Sequence, residues 1–203
     1  FHILVVHDSR KEEMSRNIIV QKYGGTSGGN AERIKAVAER ISKYVADGNK
    51  IAVVVSAMAG ETDNLIKLAK DISAEPNPSD MDLLLASGEQ RTVSLLSLAL
   101  RELGLPTKTF LGFQAGIITD SNHTKARIVK IDSSRVKKEL DDGKIAIVAG
   151  FQGVTEEGEI TTIGRGGSDT SAVALAAALK ADLCEIFTDV DGVLTADPRI
   201  CSN

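Results

Sequence analysis

Four stretches of the chain carry runs of apolar residues without strict alternation: "NIIVQKY" (17–23), "KIAVVVSA" (50–57), "IAIVAGFQGV" (145–154) and "DLCEIFTDV" (182–190). A strand with one wet face alternates apolar and polar residues, whereas a strand covered on both faces need not, so these runs predict buried strands of a parallel sheet. Helical spacing separates them. "AERIKAVAERISKYV" sets Ile34, Val37, Ala38, Ile41 and Val45 on one face, and "MAGETDNLIKLAKDI" predicts a loop feeding a second amphipathic helix, which completes a βαβ unit. The polar stretch "SAEPNPSD" then interrupts, and helix resumes behind an Asp or Ser cap before "MDLLLASGEQRTVSLLSLALRELG", broken at Ser87-Gly88.

Next, "PTKTFLGFQAGIITDSNHTKARIVKI" predicts short strands or an edge hairpin, and "SSRVKKELDDGK" a helix with a Ser cap and a closing glycine. "TEEGEITTIGRGGSD" predicts a hairpin that returns to a glycine turn, and "TSAVALAAALKA" a helix of small residues able to lie close against a sheet.

Composition narrows the class. Hydrophobic residues make up 42% of the 203, yet aromatic residues only 3%, with no Trp, so the core is built from Val, Ile, Leu and Ala, as in parallel strands covered by Ala-rich helices. The expected class is α/β. A net charge of −4 with scattered cations leaves no basic footprint for nucleic acid. No apolar run approaches the ~20 residues that cross a bilayer, and Cys184 and Cys201 suit a reducing compartment, Cys184 as a small packed hydrophobe. A cytoplasmic location without membrane partners is expected. The first strong structural signal begins at Ile18, so Met14 is the expected start, with residues 1–13 an upstream or non-native segment and 14–203 one domain.

The four buried runs end in Lys22-Tyr23-Gly24-Gly25-Thr26-Ser27, in Ser56 to Thr62, in Gly150 to Gly153 and in Thr188-Asp189. Loops after the carboxyl ends of parallel strands share one edge, where ligands bind. Gly24-Gly25 lets main-chain N–H groups approach an anion near a helix N-terminus, and Lys22 adds a point charge suited to a phosphoryl group in transit. "GRGGSDTSAVAL" repeats the design: Gly164, Gly166 and Gly167 surround Arg165, whose planar fork suits a carboxylate, and Ser168, Asp169, Thr170 and Ser171 open a helix. The plainer reading makes Ser168 or Asp169 an N-cap and Arg165 a surface residue. Glu89, after the expected break, reads as a helix cap. The run of Asp189, Asp191 and Asp197 fails the EF-hand spacing, because Gly192 is fourth rather than sixth from Asp189, leaving a nucleotide-binding loop or a plain turn. His2, His7 and His123 are isolated and read as structural or exposed.

In order, "KYGGTS", "VVVSAMAGETDNL", "LLLASGEQ", "GFQAGIITD", "GRGGSDTSAVALAAAL" and "FTDVDGVLTADPRI" closely resemble the catalytic domain of the aspartate kinases, within the amino acid kinase family, from about Ile18 to Arg199. The resemblance implies an αβα sandwich around an open, mainly parallel sheet, use of ATP with Mg²⁺, and phosphorylation of the side-chain carboxylate of L-aspartate in a homo-oligomeric full-length protein. It implies that Lys22, Gly24 and Gly25 hold the ATP phosphates, and that Lys22, organised by Asp169, stabilises the charge that moves. Ser56, Thr62, Glu89, Arg165, Gly166, Gly167 and Ser168 would line the aspartate and phosphoryl site, Glu89 meeting the amino group and Arg165 a carboxylate. Thr188, Asp189 and the loop from Leu194 through Asp197 to Arg199 would face the nucleotide. Tyr23 and Gly28 depart from the usual Phe and apolar residue. The family's kinase domain continues past "DPR", commonly into regulatory domains, so the expected domain is incomplete at its C-terminus. Kinases of glutamate or acylated amino acids, and a non-catalytic nucleotide-binding member, are the alternatives.

Overall fold

The computed structural model describes residues 2–7 and 188 as backbone, and residues 17–164 and 166–187 in full. Among the described residues ten strands and five helices follow one another as β1 (His2–His7), β2 (Ile18–Tyr23), α1 (Ala31–Ala46), β3 (Lys50–Val55), α2 (Glu61–Ile72), α3 (Pro78–Glu102), β4 (Thr107–Phe110), β5 (Ile117–Thr119), β6 (Ile128–Ile131), α4 (Ser134–Asp141), β7 (Ile145–Ala149), β8 (Gln152–Val154), β9 (Ile160–Thr162), α5 (Gly167–Leu179) and β10 (Leu183–Thr188). Six strands form the central sheet in the order β1-β10-β2-β3-β7-β4; only β1 runs antiparallel, and β6-β5-β8-β9 form a second, smaller sheet.

Both faces of the central sheet are covered, which is why its strands do not alternate. On one side Ile19, Ile51, Val53, Val55 and Ile147 pack with Ile34, Ala38 and Ile41 of α1 and with Val93, Leu96 and Leu100 of α3. On the other, Val20, Ala52, Val54 and Val148 meet Val136 and Leu140 of α4 and Ala172, Leu175 and Leu179 of α5. The result is the expected αβα sandwich. Burying Ile41 or Ile51 in this way stabilises the fold by about 1.5–3 kcal/mol each. Cys184 joins the second cluster as a small hydrophobe, and burial pushes its thiol up to about 11.

A buried polar knot fixes the register of β2 on β10. Gln21 stands opposite Glu185 and donates to its Oε2 at 2.8 Å, Tyr44 donates to Oε1 at 3.1 Å, and Tyr23 donates to Gln21 Oε1 at 3.2 Å. A one-residue slip would turn these groups to the opposite face and strand the carboxylate. Burial drives the Tyr23 hydroxyl well above the usual phenol range.

The helix expected to break at Ser87-Gly88 does not break. α3 runs unbroken from Pro78, capped by Asn77, whose side chain accepts from Ser79 N at 2.9 Å, rather than by Asp or Ser. Gly88 is there for space: a Cβ would lie 2.9 Å from Ala57 Cβ. Glu89 is therefore a helix-interior residue and no cap. Ser133, at the N-cap position of α4, donates to Ala178 O instead of capping. The expected edge hairpin is β5-β6 of the second sheet, and β8-β9 is the hairpin that leads to the late glycine turn. Strand β1 forms within the segment expected to precede Met14 and pairs antiparallel with β10 from His2 opposite Thr188 to His7 opposite Leu183.

Candidate active site

Strands β10, β2, β3 and β7 are parallel neighbours, so their carboxyl ends lie along one edge. There a cleft of about 930 Å³ opens, lined by residues of β2, α2, α3, β9, α5 and the connecting loops. Of the side chains expected at the site, Lys22, Ser56, Thr62, Glu89, Ser168 and Asp169 all face it, with Gly166 and Gly167 in its wall.

Lys22 sits one residue from the end of β2, is only 7% exposed, and pairs with Asp169 Oδ1 of α5 at 2.7 Å. Its ammonium curls back over Gly24, where an added Cβ would lie 3.5 Å from Nζ. The glycines leave room for close approach. At Gly25 a Cβ would come within 2.8 Å of Ala57 O, so the β2 and β3 loops touch through bare backbone. Ser27 and Gly28 N–H groups close turns onto Gly24 and Gly25 carbonyls, and α1 begins only at Ala31 behind an Asn30 cap. The helix starts at Ala31, where its spacing placed it, six residues beyond Gly25.

Glu89, a helix cap by local pattern and a substrate contact by the family resemblance, reaches the cleft from inside α3. Its Oε1 accepts from Ala57 N at 2.9 Å, while Oε2 is buried without a partner among the described residues. Burial pushes its carboxyl up to about 7 against the lowering effect of the Ala57 N–H. An unpartnered carboxylate oxygen in a cleft is costly unless a ligand completes it.

Around the late glycine turn, Gly166 takes φ +74° at the N-cap of α5, so neither Ser168 nor Asp169 is the cap. A Cβ on Gly150 would come within 2.9 Å of Ser168 Oγ, which ties the end of β7 to the start of α5. Phe151 holds φ +65°, its N–H donating to Ser171 Oγ at 3.1 Å, and its ring enters the cleft wall. Thr188 ends β10 at the same edge, with only its backbone described; Arg165, Asp189, Leu194, Asp197 and Arg199 lie outside the described residues.

The sequence reading missed Asp63 and Ile66 of α2, Met81 and Leu85 of α3, Thr124 and Lys125, Phe151, Thr162 and Ile163. Phe151 had a signal, since it follows a buried strand's carboxyl end; for Thr124 and Lys125, in a loop between two short strands, periodicity gave none. His123, which read as structural or exposed, is hydrogen-bonded to Asp82 at 2.7 Å. Among the described residues no three His, Cys, Asp or Glu side chains stand together as a metal site, and no helix is long and apolar enough to cross a membrane.

A family model described as the amino acid kinase family matches residues 17–203. An aspartate kinase of Stutzerimonas stutzeri is 57% identical over 183 residues, covering 90% of this chain and 44% of the relative, and an aspartokinase of Geobacillus stearothermophilus is 58% identical over 182, covering 90% and 45%. The chain thus spans less than half the length of these curated relatives. Among solved structures, an aspartate kinase from Synechocystis superposes with TM-score 0.75 at 53% identity, covering 90% of this chain and 30% of that one. E. coli aspartokinase III, solved with aspartate and ADP, gives TM-score 0.78 at 27% identity, covering 91% and 52%.

Proposed function

The chain belongs to the amino acid kinase family, and on that premise we propose that it forms the greater part of the catalytic domain of an aspartate kinase, which transfers the ATP γ-phosphate to the side-chain carboxylate of L-aspartate. The observation that carries the reading is a cleft with a strand-end ammonium, Lys22, in one wall and a buried carboxylate oxygen, Glu89 Oε2, left open in another. The first suits a migrating phosphoryl group and the second an ammonium such as that of an amino acid.

In-line phosphoryl transfer depends on positioning and charge neutralisation. The acceptor carboxylate is itself the nucleophile at working pH, so no general base is needed. Lys22 donates to the oxygens that bear the moving charge, and Asp169 holds its ammonium over Gly24. Gly24 and Gly25 keep the phosphate approach free of side chains. Ser56, Thr62 and Ser168 supply hydroxyls along the acceptor's path, Glu89 binds its α-ammonium, and the backbone at Gly166 and Gly167 leads from Arg165, which the resemblance assigns to a substrate carboxylate. Thr188, Asp189, Leu194, Asp197 and Arg199 remain assigned to the nucleotide on the same ground. Mg²⁺ would arrive bound mainly by the phosphate oxygens, neutralising their charge, with the cleft carboxylate Asp63, which bridges no lysine or arginine among the described ion pairs, available to hold it.

Acceptor choice tests the reading. In a coupled ADP assay on the full-length protein, L-aspartate supports turnover while L-glutamate and N-acetyl-L-glutamate remain at the background rate. Equal or faster turnover with either of these would reassign the enzyme within its family.

A further inference from the structure

Asp82 lies two helical turns before Glu89, hence on the same side of α3, and is fully buried with no lysine or arginine bridged to it among the described residues. Three donors converge on it instead, through four contacts. The His123 ring nitrogen Nδ1 is 2.7 Å from Oδ2, Thr124 N donates to both oxygens at 3.0 Å, and the Thr162 hydroxyl donates to Oδ1. The other ring nitrogen, Nε2, stands 3.3 Å from the exposed Glu159 carboxylate at the start of β9's hairpin arm.

These bonds join three walls of the cleft. Asp82 belongs to α3, which also carries Leu85 and Glu89; Thr124 precedes Lys125 in the loop between β5 and β6; Thr162 ends β9, two residues before the glycine turn. Loop and turn also touch directly: Ala126 N donates to Thr162 O at 2.9 Å, and a Cβ on Gly164 would lie 3.5 Å from Thr124 O. Thr124 is held at φ +65°, a conformation a β-branched residue adopts only when its surroundings dictate it. The two bonds from its N–H to Asp82 are what dictate it here.

We propose that Asp82 and His123 form a positioning clamp, in which the buried carboxylate and the imidazole hold the Thr124-Lys125 wall and the glycine turn at a fixed distance from Glu89, and so set the affinity for the acceptor amino acid. The inference rests on the aspartate kinase reading for the identity of that acceptor. Neither residue touches the reacting atoms. The hydrogen bond to Asp82 raises the His123 pKa, with the Glu159 contact adding to it, as a ring donating to both carboxylates requires.

The test uses three replacements of His123 in the full-length protein. His123→Ala removes the donor, His123→Asn restores one near the position of Nδ1, and His123→Gln fills the space but offers its amide near the position of Nε2. Loss of one charge-assisted bond to a buried carboxylate predicts an apparent KM for aspartate about tenfold higher in the Ala and Gln variants, with kcat changed much less, and recovery of most of that loss in Asn. Amide hydrogen exchange in segments 122–126 and 164–167 is expected to rise about tenfold in Ala and Gln and to stay near wild type in Asn. A lowered melting temperature with unchanged KM and unchanged exchange, or failure of Asn to recover either, would overturn the clamp. If His123→Ala does not fold, the Gln and Asn pair decides alone. If the wild-type protein makes no aspartate-dependent ADP, it is the functional reading that fails, and the exchange comparison still decides whether the clamp holds the wall.

Discussion

Lys22→Ala lowers kcat by about 10²- to 10³-fold, the usual effect of removing one preorganised donor to transition-state charge, and changes the apparent KM for aspartate little. The split follows from where the ammonium sits. It lies at the end of β2, over Gly24 and against Asp169, in the part of the cleft suited to phosphates. An interaction made mainly in the transition state appears in kcat, whereas one made equally with bound substrate appears in KM. The variant is expected to fold, because only one polar partner, the half-exposed Asp169, loses its ion pair. Steady-state ADP release at saturating ATP measures the effect; a near-normal kcat would remove Lys22 from the transfer.

Glu89→Gln has the opposite signature. With the carboxylate meeting the α-ammonium, its loss raises the KM for aspartate about 10- to 100-fold, the range for a hydrogen bond to a charged group, and leaves kcat less affected. The wild-type pH dependence carries the same information. The Glu89 carboxyl is raised to about 7 by burial, so aspartate affinity climbs as pH rises toward that value and levels off above it, while Gln gives a flat profile. For stability the sign reverses. A carboxyl whose folded-state pKa exceeds its unfolded value of 4.5 favours the folded state most below 4.5, and that contribution is lost as pH rises through about 7. Relative to wild type, Glu89→Gln is therefore more stable at pH 8 than at pH 5. Thermal unfolding of both proteins at the two pH values measures it, and equal differences would mean that the carboxyl is not held neutral by burial.

How much of this could be read beforehand depends on which physical signal each residue leaves. The strands around Lys22 and Val54 are mostly apolar without alternation because helices cover both sheet faces, and that doubly buried pattern needs no structure to recognise. Once those strands are parallel, the meeting of their carboxyl ends follows from topology, which is why the loops holding Lys22 and Ser56 to Thr62 are expected together, whereas Ser168 and Asp169 follow from the second glycine-turn motif and the family resemblance. Gly88 was misread because a glycine in a helical pattern signals either a break or a close contact, and only the position of Ala57 tells them apart. That error displaced Glu89 from the interior of α3 to a cap. Thr124, Lys125 and their tether Asp82 left no local trace, since the bonds that assemble them span 41 and 42 positions of chain. Arg165 and the loop from Asp189 to Arg199, singled out by motif, lie outside the described residues.

The central claim is that a carboxylate accepts the phosphoryl group in this cleft, and it is tested most directly by trapping the product. An acyl phosphate reacts with hydroxylamine to give a hydroxamate, which a phosphate ester does not. With the full-length protein, ATP, Mg²⁺ and L-aspartate, the account predicts hydroxamate in step with ADP, and neither product above background from Lys22→Ala. ADP released at the same rate without aspartate, or released with aspartate but without hydroxamate, would contradict it.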